Sequence, residues 1–225
     1  MICGAPLVYN DQAAEMECAG CHKMLFSHAK CTNGHYICDG CHGSAGVLAI
    51  QYACNKTVSK NPLEIAIELM KSPVINMHGP EHHVLVGSAL LAAYRNSGGD
   101  IDLRNALQEM VKRGGDVPGG ICGFWGSCGA AISSGMFISI ITKSTPLSTD
   151  TWGLSNLMTA EILKKIGSIG GPRCCKRNSF ISIKTAARFV KEHLGVTMEL
   201  PAEIKCTHFL RNNECLGKKC PFFPE

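Results

Sequence analysis

Cysteine and histidine carry the chemistry of this sequence: fourteen Cys and nine His stand among 225 residues, gathered in short clusters. Thiolate and imidazole are ligands for zinc, iron and copper, and they serve as nucleophiles and bases in covalent and acid–base catalysis. The N-terminal MICGAPLVYNDQ lacks the basic start and continuous apolar stretch of a secretory signal, so the expected location is the cytoplasm. There, reduction disfavours structural disulfides, and the thiols read as metal ligands or redox groups.

The first cluster runs Cys3, Cys18-x2-Cys21, Cys31-x3-His35-x2-Cys38-x2-Cys41. Paired ligands on tight turns present two thiolates to a tetrahedral ion at about 2.3 Å. This spacing predicts structural zinc, with one complete site from Cys18, Cys21, Cys38 and Cys41 or a permutation. A second site would use Cys3, Cys31 and His35, with His28 or His42 as further candidates. Residues 1 to about 43 hold six Cys and four His with no long amphipathic period, so this segment needs a metal to fold.

Three further motifs share one design, each at the expected start of a helix. In His78-Gly79-Pro80-Glu81-His82-His83, Pro80 sets the first turn and the helix N-terminus opposes protonation of the imidazoles. Neutral His is what a metal ligand or general base must be. The second motif, residues 119–131, places five glycines around Cys122 and Cys128, so backbone amides can approach a ligand closely. A thiol at a helix start, as expected for Cys128, has its pKa lowered. The third, Gly171-Pro172-Arg173-Cys174-Cys175-Lys176-Arg177-Asn178, sets two adjacent thiols among three cations and predicts partial thiolate character.

Brought into one pocket, Cys122, Cys128 and one or both of Cys174 and Cys175 would hold an iron–sulfur cluster or another soft metal. His78, Glu81, His82 and His83 would stand beside it; His82 or His83 would move a proton, and Arg173 or Lys176 would fix an anionic substrate group. The metal-free alternative is dithiol–disulfide cycling of the same cysteines. Behind these, Cys206-x-His208-x6-Cys215-x4-Cys220-Pro221 reads as another structural metal site, or as ligands of a cluster.

The elements that must position these residues are helical. Asn61-Pro62 opens an apolar-faced helix, and Gly79-Pro80 starts a second that is apolar almost all round from Val84 to Tyr94, hence buried and central. Further helices are expected at about 101–113, 128–142, 151–167 and 179–194, the last capped by Asn178 or Ser179. The fold class is therefore mainly α: a zinc-binding module at 1–43, a helical core at 44–200 and a Cys/His knuckle at 201–225, with hairpins only in the Cys-rich ends.

Composition excludes other classes. At 45% hydrophobic and 18% charged residues, disorder is ruled out. The longest apolar run, Ala130 to Ile141, is far short of the roughly 20 residues of a membrane span. The net charge of +4 is too small to mark a nucleic-acid binder by itself. Locally, Lys164, Lys165, Arg173, Lys176, Arg177, Lys184, Arg188 and Lys191 face only Glu161 and Glu192. Such a stripe suits an RNA or DNA contact, although few aromatics interleave to stack bases.

CTNGHYICDGC resembles the middle of RING-type and related cross-brace or ribbon fingers. It departs from them in having no ligand three residues before Cys3 and no Cys pair soon after Cys41. With HGPEHH, CGFWGSCGAA, GPRCCKRN and the terminal knuckle, the chain as a whole resembles an uncharacterised family of cysteine-rich proteins of anaerobic prokaryotes, sometimes fused to methyltransferase-like domains. That resemblance implies a thiol-protecting, anaerobic setting and no particular reaction. The expected function is a zinc-containing, iron–sulfur-dependent enzyme of non-redox sulfur or small-thiol chemistry: desulfuration, sulfur transfer or a thiol lyase reaction. The alternatives are a structural or regulatory zinc protein with sensing cysteines, and a nucleic-acid-binding zinc adaptor.

Overall fold

The structure is a computed structural model and describes Cys3 and residues 5–224. Its described residues form one antiparallel hairpin, β1 (Leu7–Glu17) with β2 (Met24–Cys31), and eight helices. The helices are α1 (Asp39–Lys56), α2 (Pro62–Lys71), α3 (His82–Asn96), α4 (Leu103–Gly115), α5 (Ile121–Phe124), α6 (Gly129–Ile141), α7 (Asp150–Ile169) and α8 (Cys175–Leu194). Two single 3-10 turns, Phe209–Arg211 and Gly217–Lys219, shape the C-terminal knuckle. No described helix is long and apolar enough to cross a membrane.

α3 is the axis of the fold. Every residue from His82 to Ala93 is buried, and the helix packs against α1, α2, α4, α6 and α8. A helix apolar on all sides has no solvent face to offer, so the others surround it. Each fully buried Leu, Val or Phe of this core contributes about 1.5–3 kcal/mol relative to exposure. Close approach is set at Gly87, where an added Cβ would stand 2.2 Å from Met110 Cε. The Gly87 N–H there donates to Ser133 Oγ of α6 at 2.9 Å.

Local chemistry explains the helix starts. Asn61 Oδ1 accepts from the N–H groups of Leu63 and Glu64, with Pro62 in the first turn of α2, and Asp102 caps α4 through Asn105 N–H. Two helices are capped by sulfur: Cys38 Sγ accepts from Cys41 N–H at α1, and Cys174 Sγ from Arg177 N–H at α8. The second corrects the sequence reading, in which α8 begins at 179. Because the Cys174 thiol serves as cap, Cys175, Lys176, Arg177 and Asn178 form the first turn instead of a preceding loop. Gly114 and Gly115, expected to close α4, lie within it. α1, not anticipated from its weak periodicity, starts among the N-terminal ligands and runs through residue 43 into the helical core.

Candidate functional site

The N-terminal hairpin and the first turn of α1 gather two sets of ligand atoms, each within 4.8 Å: Cys18, Cys21, Cys38 and Cys41, and Cys3, Cys31 and His35. The sets interleave along the chain. Cys21 and Cys38 sulfurs stand 3.8 Å apart, and a tetrahedron with arms of about 2.3 Å has edges of about 3.8 Å. His35 Nδ1 lies 3.3 Å from Cys3 Sγ and 3.4 Å from Cys31 Sγ.

Hydrogen bonds to sulfur prepare thiolates here. The Cys38 N–H, 3.2 Å from Cys18 Sγ, leads the bonds that bring the Cys18 thiol down to about 6. Burial opposes ionisation of Cys31, but the His35 N–H, the Cys3 side chain and further amides outweigh it and bring that thiol to about 7. Neither His28 nor His42 belongs to these sets: His28 stacks on Phe124 with its Nδ1 on Asn10 O, and His42 Nε2 faces His78 O.

The motif at 78–83 is a buried polar brace. Glu81 is 1% exposed; its Oε1 accepts from Asn76 N and Nδ2, and its Oε2 has no partner. His82 Nδ1 meets Gly79 O at 3.1 Å, which assigns the proton to Nδ1, and Lys176 Nζ donates to Nε2 at 3.2 Å. Lys176 Nζ also donates to Asn76 O at 2.8 Å. His83 Nδ1 faces Val117 O at 3.0 Å, its ring packed where a Gly129 side chain would be. Burial, chiefly, lowers the pKa of His78, His82 and His83, so all three are held neutral. The same burial lowers Lys176 to about 8.

Between α5, the start of α6, the end of α7 and the start of α8 opens a cavity of about 470 Å³. Six glycines wall it, Gly120, Gly123 and Gly126 on one side and Gly167, Gly170 and Gly171 on the other, so backbone forms much of its surface. Cys122, Cys128, Tyr9, Arg173, Arg177 and Asn178 supply the side-chain chemistry. Asn178 Nδ2 donates to Cys128 Sγ at 3.3 Å. Cys175 sits next to this group, under the Gly79 N–H and within electrostatic reach of Cys128 and Arg173. Arg173 lies over the Tyr9 ring at 5.4 Å and 3.9 Å from Glu214, which also stands 2.9 Å from His78.

The structure thus divides the sequence motifs. Cys122, Cys128 and Arg173 line one cavity, with Cys175 outside its lining but within electrostatic reach of Cys128 and Arg173, whereas His82 and His83 do not line it. Cys174 points the other way, into a separate space lined by Cys206, His208, Cys215 and Cys220. Those four knuckle residues form no compact ligand set of their own: among the described residues, no three of them gather within 4.8 Å. The expectation of partial thiolate character at 174 and 175 is overturned. Burial raises both thiols, Cys175 to about 12. Their flanking cations are engaged elsewhere, Lys176 as above and Arg177 on the carbonyls of Gly170 and Pro172.

The basic stripe is shortened. Lys176 and Arg177 are buried and Arg173 lines the cavity, while Lys184, Arg188 and Lys191, spaced i, i+4 and i+7, remain along one face of α8.

Sequence reasoning missed Tyr9, Asn178, Asn212 and Glu214. Asn178 reads in sequence as a cap, and Tyr9 lies in a strand whose docking depends on tertiary contacts with Phe124. The anchor opposite is Asp39 of α1, whose Oδ2 accepts the Gly119 N–H at 2.6 Å and so holds the glycine loop against the N-terminal module.

Fold and site together define a cysteine-rich helical protein with Cys/His groups able to hold metal. The chain belongs to a family described as a family of unknown function (DUF5714), whose profile matches residues 50–223. That span takes in the glycine-walled cavity and the knuckle and begins inside α1, beyond the N-terminal ligand sets. No curated protein and no solved structure matches the chain.

Proposed function

We propose that this protein is a metal-dependent enzyme of non-redox sulfur or small-thiol chemistry, working in the glycine-walled cavity. Three thiols from separate segments, Cys122, Cys128 and Cys175, hold an iron–sulfur cluster at its floor. The observation that supports this best is that Cys122 and Cys128 line one walled cavity beside Arg173, with Cys175 within electrostatic reach of Cys128 and Arg173. Soft thiolate sets select iron–sulfur over hard ions. A cluster bound by three cysteines supplies a Lewis-acidic iron for a thiolate, sulfide or hydroxyl.

The chain's own groups do the rest. Arg173, held by Glu214 and the Tyr9 ring, binds an anionic substrate group at the mouth. Asn178 fixes the Cys128 sulfur. The glycine backbone offers N–H donors without side chains in the way. His82 and His83, which do not line this space, act as structural braces rather than proton carriers. In the N-terminal module, both ligand sets hold structural zinc.

Anaerobic preparation followed by iron, sulfide and zinc analysis tests the reading. Iron content that falls in Cys122→Ser, Cys128→Ser and Cys175→Ser, with zinc retained, supports it. Iron content unchanged in all three removes it. The second reading, a structural or regulatory zinc protein, draws on the compact N-terminal sets, and a protein carrying zinc alone would favour it.

A further inference from the structure

We infer that Cys174, Cys206, Cys215 and Cys220 hold a [4Fe–4S] cluster, a site separate from the cavity and from the zinc sets. This goes beyond the proposed enzyme function and stands whether or not the cavity holds metal. The four thiols line one interior space, whose remaining wall is mostly apolar: Met77, Phe180, Phe209, Leu216, Phe222 and Phe223.

Sulfur spacing separates this site from the zinc sets. Four thiolates on one zinc stand about 3.8 Å apart, as Cys21 and Cys38 do at 3.8 Å. A four-iron cubane instead holds its thiolates about 6–7 Å apart. The thiols at 174, 206, 215 and 220 face a common space, yet among the described residues no three of them gather within 4.8 Å. Their arrangement suits a body larger than one ion.

Donors are aimed at the sulfurs, as cluster thiolates require, since N–H···S bonds stabilise their charge and tune the cluster. Cys174 Sγ receives Arg177 N–H at 3.4 Å and Asn212 Nδ2 at 3.6 Å. Cys206 receives His208 N–H, and Cys215 receives Gly217 N–H, each at 3.4 Å. His208, the sequence candidate for fourth ligand, gives its backbone to Cys206, and its ring Nδ1 accepts Arg211 Nη2 at 3.0 Å. Cys174 therefore takes the fourth position. Vicinal residues then serve two sites, Cys174 the cluster and Cys175 the cavity.

The test is elemental analysis of the full chain, purified and reconstituted with iron and sulfide without oxygen. The wild type is expected to bind at least about four irons and four sulfides and to absorb at about 400 nm. Cys206→Ser and Cys220→Ser should each lose about four irons, while Cys122→Ser and Cys128→Ser keep those four. Slow amide exchange of α3 in every variant reports that the helical core still folds, and zinc at about two per chain reports the same of the N-terminal module. His208→Ala should keep its iron.

Wild-type protein that takes up zinc at this site and no iron overturns the inference, and it needs no variant to fold. So does iron retained in both Cys206→Ser and Cys220→Ser, or lost in His208→Ala but not in Cys174→Ser. Iron lost only in the cavity variants would sink this site and leave the proposed function standing. The reverse pattern would do the opposite.

Discussion

Stripping metal from the N-terminal module is expected to unfold the β1–β2 hairpin while leaving the helical core in place. Along both strands, Cys31 is the single fully buried residue, and in the connecting segment Cys18 is its counterpart. Both are ligands. Leu7, Val8, Tyr9, Met24, Leu25 and Phe26 are each more than a third exposed, so apolar burial contributes little. A lone two-stranded hairpin is marginal in water. Structural zinc sites are worth about 10–16 kcal/mol in peptide models, against about 5–15 kcal/mol for the net stability of a whole domain.

The helical core loses the contacts that cross to it, Asp39–Gly119, the packing of Tyr9 and His28 on Phe124 and the Arg173 contact with the Tyr9 ring. These amount to about 1–3 kcal/mol, or a shift of about 2–10 °C in melting temperature for a chain of this size. Hydrogen exchange before and after chelation measures it. Hairpin amides should reach unprotected rates while those of α3 stay slow. Acid should do the same. Metal needs the thiolate, which in Cys18 is present above about 6 and lost as pH falls through it. Persisting hairpin protection in metal-free protein, or simultaneous loss throughout α3, would refute this account.

Other predictions concern the cavity and its walls. Arg173→Ala should raise KM for anionic thiols about tenfold or more while leaving iron content unchanged, measured by sulfide release; an unaltered KM excludes Arg173 from substrate binding. Glu214→Gln should cost no more than about 1 kcal/mol in urea unfolding, because the pair with Arg173 is 3.9 Å long and partly solvated, yet should weaken the same substrates. Gly135→Ala should destabilise by about 1–3 kcal/mol despite better helix propensity, since its Cβ would fall against Thr159 Oγ1 and 3.0 Å from Ser155 O; a gain in stability would show α6 and α7 to be less tightly seated. Cys54, whose thiol burial pushes up to about 12, should resist alkylation in native protein at neutral pH and react only on unfolding.

Much of the fold was legible because its signals are local. Proline at helix starts, an Asn or Asp cap and the all-round apolar run from Val84 to Tyr94 act within a turn or two. The helical class, α2, α3, α6 and α7 follow from them. α1 was not legible: its glycines and cysteines mask periodicity, and it is held by the Cys38 cap and by packing on α3. Spacing identified which cysteines could act in pairs, since two ligands on one turn are a local matter.

Which sulfur meets which belonged to the tertiary structure. Cys174 and Cys175 look like one vicinal pair in sequence, but successive helical residues point about 100° apart. With Cys174 as cap and Cys175 in the first turn, Cys174 lines the interior space of the knuckle, while Cys175 lies within electrostatic reach of Cys128 and Arg173 instead. Charge told a similar story: the cations of GPRCCKRN seemed to activate thiols, until burial sent Lys176 to His82 and Arg177 to backbone carbonyls. Residue types and spacing determined that this chain carries Cys/His groups able to hold a metal in a helical frame. Partition of those ligands among sites came only from packing, because a side chain's direction depends on neighbours far away along the sequence.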